Sequence, residues 1–150
     1  MDDDARWMSI ALEEAARGAE AGEVPVGAVV VLEGQLVGRA HNAPISLSDP
    51  TAHAEVLALR AAARETGNYR LARATLYATI EPCVMCCGAA LHARIARLVY
   101  GAADPKAGAV QSLYRLLEDP RLNHQVEIVA GVLGPACGDR LSEFFRARRA

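Results

Sequence analysis

Two short segments of the chain contain residue types that bind a metal ion and transfer protons. The first is His53-Ala54-Glu55, and the second is Pro82-Cys83-Val84-Met85-Cys86, about thirty residues later. One imidazole and two thiolates supply three ligands to a zinc ion, and a water molecule can take the fourth tetrahedral position. The spacing therefore predicts a hydrolytic zinc centre formed by His53, Cys83 and Cys86.

Glu55 is predicted to transfer protons rather than to bind the metal. It lies two residues beyond His53, so it cannot easily share that residue's face of a helix. It can instead lean over the water held by zinc, whose pKa the metal lowers to roughly 7. That is the place of a general acid/base. In this order and spacing, the two segments are typical of zinc-dependent nucleobase deaminases.

Two other interpretations of the cysteines remain open. A closed structural zinc site would need a fourth protein ligand, for which Cys87 or Cys137 is the candidate. Cys87 is adjacent to Cys86 and therefore points about 100° away around a helix. The Cys83-x-x-Cys86 segment could also form a redox pair. For Cys87 and Cys137 we expect small, buried and inert thiols.

Both chemical segments are predicted to lie at the start of a helix. Apolar residues at helical spacing predict helices over 51–66 and 82–93, and proline is well tolerated where the second begins. Further helices are predicted over 5–21, 111–117 and 135–149. Strands are predicted over 26–32, 36–40, 75–80, 97–101 and 126–132, and a polar loop is predicted over 41–50. This alternation indicates a single α/β domain over 1–150, with a mixed sheet between helical layers.

Composition excludes several classes of protein. Apolar residues make up 52% of the 150 residues and charged residues 23%, a balance typical of globular chains and not of disordered ones. The net charge of −2 gives no general attraction to nucleic acid. The longest apolar stretch, 24–32, is too short to span a membrane, and the acidic start is unlike a signal peptide. We therefore expect a cytoplasmic protein with no membrane partner.

Almost the whole chain resembles the bacterial tRNA-specific adenosine deaminases, a family of the cytidine-deaminase superfamily. The matching stretches are Glu23-Val24-Pro25-Val26-Gly27-Ala28-Val29, His41-Asn42, Asp49-Pro50-Thr51-Ala52-His53-Ala54-Glu55, Asn68-Tyr69-Arg70-Leu71, Thr79-Ile80-Glu81-Pro82-Cys83-Val84-Met85-Cys86, Tyr100-Gly101-Ala102, Asn123-His124 and Phe144-Phe145-Arg146. Cys87 departs from the small residue, usually alanine, that the family has there. The resemblance implies a three-layer α/β/α cytidine-deaminase-like fold, with helices on both faces of a mixed five-stranded sheet.

The resemblance also implies roles for individual residues. His53, Cys83 and Cys86 would bind one Zn²⁺ per subunit, Glu55 would transfer protons, and Asn42 would hydrogen-bond the flipped base. Further substrate contacts would come from Val26 on the pocket wall, Asp104 at the neighbouring ribose, and Phe144, Arg146 and Arg148 beside the anticodon loop. Simpler structural roles remain open for the substrate contacts: turn residues for Asn42 and Asp104, core residues for Val26 and Phe144, and a solvated face for the arginines.

The function implied by the resemblance is zinc-dependent hydrolytic deamination of adenosine to inosine at wobble position 34 of tRNA, usually arginine tRNA with anticodon ACG. Anticodon bases are already partly unstacked, which lowers the cost of placing one in a deep pocket. A homodimer is also implied, and it could form an RNA surface from both subunits. Two alternatives are a deaminase of free bases or nucleosides, such as guanine, and a non-catalytic zinc-stabilised RNA-binding module. Glu55 argues against the second, because a structural site needs no carboxylate beside an open metal position.

Overall fold

The computed structural model describes residues 2–149, with helices on both sides of a five-stranded sheet. The helices are α1 (Asp3–Glu20), α2 (Pro44–Leu47), α3 (Ala54–Thr66), α4 (Val84–Ala93) and α5 (Gly134–Arg149). The strands are β1 (Gly27–Leu32), β2 (Gln35–His41), β3 (Thr75–Ile80), β4 (Arg97–Ala102) and β5 (Glu127–Ala130), and a 3₁₀ helix covers Leu116–Glu118. None of the helices within residues 2–149 combines the length and the apolar character that crossing a membrane requires.

The five strands form one mixed sheet in the order β2-β1-β3-β4-β5. Strand β1 pairs antiparallel with β2 and β3, whereas the β3–β4 and β4–β5 pairs are parallel. The β1–β2 hairpin turns through Glu33 and Gly34, whose φ angles are 51° and 77°, as a two-residue type I′ turn requires. The valine-rich strand β1 is buried along almost its whole length, which explains why its sequence is continuously apolar rather than alternating.

Each face of the sheet has its own hydrophobic core. On one face, α1 and α5 contribute residues such as Met8 and Cys137. On the other, α3 and α4 contribute small residues such as Ala58 and Ala90. The mixed five-stranded sheet and the two helical layers confirm the predicted three-layer α/β/α fold.

A glycine on strand β2 brings helix α3 very close to the sheet. A Cβ atom at Gly38 would overlap the backbone oxygen of Ala58 in α3. Only a residue without a side chain fits there, so the helix lies directly on the strand. This close packing positions helix α3, whose first turn contains Glu55.

Helices α3 and α4 begin at the same end of the sheet, next to His53 and Cys83. Strand β3 ends at Ile80, and α4 begins at Val84 directly after Pro82 and Cys83. Because β3 and β4 are parallel, the loop after β4 leaves from this end as well. The carboxyl ends of parallel strands are a common place for ligand sites in α/β proteins.

Some local predictions differ from the structure. The predicted helix over 111–117 is wrong, since only Leu116–Glu118 is helical and as a 3₁₀ turn. There, the N–H of Leu113 bonds to the oxygen of Gly108 and that of Leu116 to Ala109, spans too long for an α-helix. The predicted loop over 41–50 contains α2, and β5 is shorter than the predicted strand over 126–132.

Candidate active site

His53 and Cys83 occupy equivalent places at the starts of two helices. His53 is the N-cap residue of α3 and Cys83 is the N-cap residue of α4. Neither side chain caps its own helix, so the imidazole and the thiol remain available to a ligand. Cys86 lies on the first turn of α4, three residues after Cys83, which brings the two sulfurs together.

The donor atoms of His53, Cys83 and Cys86 form a nearly equilateral triangle. Nδ1 of His53 lies 3.6 Å from Sγ of Cys83 and 3.5 Å from Sγ of Cys86, and the two sulfurs are 3.7 Å apart. Tetrahedral zinc, with bonds of about 2.3 Å to sulfur and about 2.0 Å to nitrogen, requires donor separations of roughly 3.5–3.8 Å. The triangle therefore fits a zinc ion. Within residues 2–149 it is the one cluster of at least three His, Cys, Asp or Glu side chains close enough to hold a metal.

The Cys83 thiol differs in charge from the other three cysteines. The hydrogen bond between their sulfurs lowers the pKa of Cys83 to about 5 and raises the pKa of Cys86. A thiolate at a helix N-terminus is favoured electrostatically and binds metal cations. Burial raises the pKa of Cys87 to about 12 and of Cys137 to about 11, and both lie outside the triangle. Both thiols are buried, as the sequence predicted.

Glu55 lies beside the triangle without belonging to it. It is the second residue of α3, lines the same cavity as His53 and Cys83, and is only 4% exposed. Burial raises the pKa of its carboxyl group to about 7. A carboxyl group with a pKa near the working pH can both accept and donate a proton.

A cavity of about 510 Å³ opens beside the donor triangle. This volume is in the usual range for small-molecule sites. Its wall combines the start of β1, the segment after β2, the first turn of α3, the end of β3, the loop after β4 and helix α5. The lining residues are Val24, Val26, Asn42, His53, Glu55, Ile80, Glu81, Cys83, Ala103, Asp104, Pro105, Lys106, Ala107, Leu141 and Phe145.

Asn42 connects the cavity wall to helix α3. Its side-chain oxygen accepts a hydrogen bond from the N–H of Ala54 at 2.9 Å, and its own backbone N–H donates to the oxygen of Val26 at 3.1 Å. The first bond satisfies an N–H group that His53 leaves uncapped at the helix start. Because the oxygen is engaged, the NH₂ group of Asn42 is the polar end that remains for a ligand.

Asp104 lies on the loop after β4, which lines the cavity with five consecutive residues, 103–107. One of its carboxylate oxygens accepts the backbone N–H groups of Lys106 at 3.0 Å and Ala107 at 3.2 Å. Asp104 therefore shapes its own turn in addition to lining the cavity. Lys106 is exposed at the rim, and Val26 is half-buried in the wall at the start of β1.

Helix α5 presents its two phenylalanines differently. Phe145, which is 43% exposed, lines the cavity, whereas Phe144 does not. Phe144 is half-buried, and the guanidinium of Arg148 lies 4.3 Å from its ring centroid. Arg148 also donates to the oxygen of Gly22 at 3.3 Å, while Arg146 is exposed. The structure thus places Phe145, rather than Phe144, in the wall of the cavity.

Two buried glutamates, Glu81 in the cavity wall and Glu23 next to the lining residue Val24, were not singled out from the sequence. Glu81 lies between strand β3 and Cys83 and accepts hydrogen bonds from the loop after β4. Glu23 accepts the N–H groups of Ile45 and Ser46, and so caps α2, whose own N-cap residue offers no side-chain acceptor. In the sequence each of them is only an acidic residue next to an apolar segment. That pattern does not indicate which distant N–H groups the carboxylate will bind.

The chain has sequence relatives over its whole described length. A family model described as MafB19-like deaminase matches residues 2–149. The tRNA-specific adenosine deaminase of Haemophilus influenzae is 49% identical over 147 residues, covering 97% of this chain and 85% of the relative. The protein of the same name from Bacillus subtilis is 46% identical, covering 99% of this chain and 92% of the relative.

Solved structures share the fold. One, from biochemical and structural studies of A-to-I editing by tRNA deaminases at the wobble position of transfer RNA, has a TM-score of 0.88 and 43% identity. It covers 91% of this chain and 99% of that chain. Guanine deaminase from Nitrosomonas europaea has a TM-score of 0.78 at 23% identity, covering 96% of this chain and 85% of that chain. At that identity the second likeness shows the fold alone.

Proposed function

The chain belongs to the MafB19-like deaminase family, together with the tRNA-specific adenosine deaminases that it resembles, and we propose that it converts adenosine to inosine at wobble position 34 of tRNA. The observation that supports this most directly is the triangle of His53, Cys83 and Cys86 with buried Glu55 beside it in one cavity. The reaction consumes one water and releases one ammonia, and C6 of the purine changes its amino group for an oxygen.

Zinc is the cofactor that the donor set fits best. His53, Cys83 and Cys86 would hold it, since one imidazole and two thiolates at these separations match tetrahedral coordination. When bound, Zn²⁺ lowers the pKa of a coordinated water toward 7 and so supplies a nucleophile at neutral pH. With three protein ligands the fourth position stays open, which a catalytic site requires and a structural site does not.

Glu55 moves the protons of the reaction. Its carboxylate accepts a proton from the attacking water and delivers it to N1 of the adenine ring, which makes C6 more electrophilic. It then transfers the second proton of the water to the departing amino group, which leaves as ammonia. Burial raises the pKa of this carboxyl group, and a carboxyl group with a raised pKa is suited to carrying protons at neutral pH.

Asn42 and Val26 position the base. The oxygen of Asn42 is engaged by Ala54, so its NH₂ group donates to an acceptor on the ligand. A purine offers N7 as such an acceptor. Val26 supplies an apolar wall at the start of β1.

Residues of the cavity wall and of helix α5 favour a polynucleotide over a free base. Asp104 contacts the neighbouring ribose, and Phe144 and Phe145 provide aromatic surface for an adjacent base. Arg146 and Arg148 contact phosphate groups, as arginines and aromatic residues commonly do in single-stranded RNA sites. The substrate is the anticodon stem-loop of arginine tRNA with anticodon ACG, and a tRNA substrate implies the cytoplasm.

The functional unit is a homodimer. Five large apolar residues are more than half exposed on segments next to the site: Ile45, Leu47, Val84, Leu113 and Tyr114. Val84 follows Cys83 directly, and Ile45 and Leu47 belong to α2 just beyond Asn42. A contiguous patch formed by such residues would be typical of a protein–protein interface.

Sequencing of treated tRNA tests the proposal. Zinc-loaded protein is incubated with unmodified transcripts of all bacterial tRNAs, and reverse transcription reads inosine as guanosine. We expect an A-to-G change confined to the wobble position of arginine tRNA, and no change with the Glu55→Ala variant. Absence of inosine in every tRNA, with zinc bound to the protein, would contradict the proposal, and free guanine, adenine and cytosine would then be assayed as substrates.

A further inference from the structure

Glu81 is the buried centre around which the loop after β4 is wrapped. It is 3% exposed. One oxygen, Oε2, accepts the N–H groups of Val110 at 3.1 Å, Gln111 at 2.8 Å and Ser112 at 2.9 Å. The other, Oε1, accepts the N–H of Asp104 at 3.0 Å and the hydroxyl of Ser112. All five bonds come from residues 104–112.

The loop that Glu81 holds forms one wall of the cavity. Five of its residues, 103–107, line the cavity together with Glu81 itself. A further bond ties the same loop to the metal-binding segment, because the N–H of Ala109 donates to the oxygen of Pro82 at 2.9 Å. The carboxylate leaves no spare room, since a Cβ at Gly108 would overlap it.

We propose that Glu81 is a positioning residue whose bond to the Asp104 N–H holds the 103–107 wall in place and thereby sets the affinity for RNA. This inference rests on the proposed function. Glu81 is no metal ligand, because its two oxygens are engaged by the loop. Its effect is therefore on how the substrate is held and not on proton transfer, which Glu55 performs.

The two oxygens of Glu81 have different partners, which allows a selective variant. In Glu81→Gln the amide oxygen can replace Oε2 and keep the three bonds to 110–112. Its NH₂ group then occupies the place of Oε1, where the Ser112 hydroxyl can turn to accept a hydrogen bond but the Asp104 N–H cannot. The variant thus releases the cavity wall while retaining the rest of the loop. Ser112→Ala is the matched control, because it removes a bond to the same oxygen and leaves the Asp104 bond intact.

Three measurements on zinc-loaded protein test the proposal. Residue-resolved hydrogen exchange should show the Asp104 amide exchanging at least about tenfold faster in Glu81→Gln, with the amides of 110–112 still protected. KM for an anticodon stem-loop should rise about tenfold, because binding must then order a wall that the lost hydrogen bond no longer holds, while kcat changes by less than about twofold. Zinc content should stay at the wild-type value. Ser112→Ala should match the wild type in all three.

Affinity alone is measured in the inactive Glu55→Ala background, where adding Glu81→Gln should weaken stem-loop binding by the same factor of about ten. Wild-type protection of Asp104 and wild-type KM in Glu81→Gln would overturn the proposal. A fall in kcat with unchanged KM would overturn it as well, since it would assign Glu81 to the chemistry. Failure of the proposed function is distinct: the wild type would then form no inosine, whatever the exchange of Asp104.

Discussion

The side-chain oxygen of Asn42 accepts a hydrogen bond from the backbone N–H of Ala54, the first residue of helix α3. His53 is the N-cap residue of that helix but directs its imidazole to Cys83 and Cys86. Asn42 therefore supplies the cap that the histidine cannot. One residue both stabilises the helix that presents His53 and Glu55 and offers an NH₂ group to the cavity.

Replacing Asn42 by Asp or Ala separates these two functions. Asp keeps the capping oxygen but loses the NH₂ donor, so we expect wild-type stability with a KM raised by a factor of about ten. Ala loses both, so it should raise KM and also lower the free energy of unfolding by about 1 kcal/mol. Urea unfolding and stem-loop kinetics of both variants measure the two effects. Equal stability of Asn42→Ala and the wild type would show that the cap is unimportant.

Substitution of the adjacent residues Cys86 and Cys87 should have opposite effects on zinc binding. Cys86→Ala removes a corner of the donor triangle and should abolish both stoichiometric zinc binding and activity. Cys87→Ala removes a neighbouring buried thiol outside the triangle, so it should retain one zinc per chain and lose only about 1 kcal/mol of stability. Elemental analysis of the purified proteins decides between them. Loss of zinc in Cys87→Ala would mean that the site is a closed structural one.

The salt bridge between Asp4 of α1 and Arg97 of β4 should make the stability of the wild type depend on pH in the acid range. Both carboxylate oxygens of Asp4 accept hydrogen bonds from Arg97, at 3.0 and 2.6 Å, and this interaction lowers the pKa of Asp4 below its ordinary value of 3.8. A lowered folded-state pKa means that the stabilisation is complete above the unfolded-state value and disappears as pH falls through the folded-state value.

Asp4→Asn should therefore be less stable than the wild type at pH 7 by about 1 kcal/mol, and the difference should shrink below about pH 4. Urea unfolding followed by circular dichroism at several pH values measures it. A difference that stays constant from neutral pH to about pH 2.5 would show that Asp4 titrates normally in the folded protein.

Two arginines of α5 should contribute differently to RNA binding. Arg146 is exposed, and the phosphate contact that we propose for it is purely electrostatic. Arg146→Gln should therefore weaken binding and reduce the salt slope of log K by about 0.7, with unchanged melting temperature. Arg148 also packs on Phe144 and bonds to Gly22, so Arg148→Gln should lower the melting temperature too. The control is Arg73→Gln, which changes an exposed arginine paired with Glu33. An equal change in salt slope for Arg73→Gln would argue against a specific role for Arg146.

The clustering of His53, Cys83 and Cys86 beside Glu55 could be predicted from sequence, because the spacing within each pair is set within a single helical turn. His53 and Glu55, like Cys83 and Cys86, are neighbours along the chain, so a short motif describes both pairs. The layers of the fold were predictable for a similar reason, since helical and strand periodicity depend on which residues face the core.

Glu81 could not be predicted in this way, because its partners lie 23 to 31 residues later in an irregular loop. The same loop explains the wrong helix over 111–117, where bonds to Glu81, Gly108 and Ala109 replace the helical pattern. The two phenylalanines of α5 illustrate a second limit. Adjacent helical residues point about 100° apart, and the sequence alone does not say which of Phe144 and Phe145 faces the cavity.

We propose that Glu55 and the His53, Cys83 and Cys86 triangle carry out the hydrolytic deamination of adenosine 34. The most direct measurement uses a stem-loop with a single adenosine, at the wobble position, in water enriched in oxygen-18, with mass spectrometry of the nucleosides. We expect inosine with one oxygen-18 atom and one equivalent of ammonia. Glu55→Gln, with zinc and RNA still bound, should be slower by a factor of about 10² to 10⁴. Wild-type rates in Glu55→Gln, or inosine without the heavy oxygen, would contradict the account.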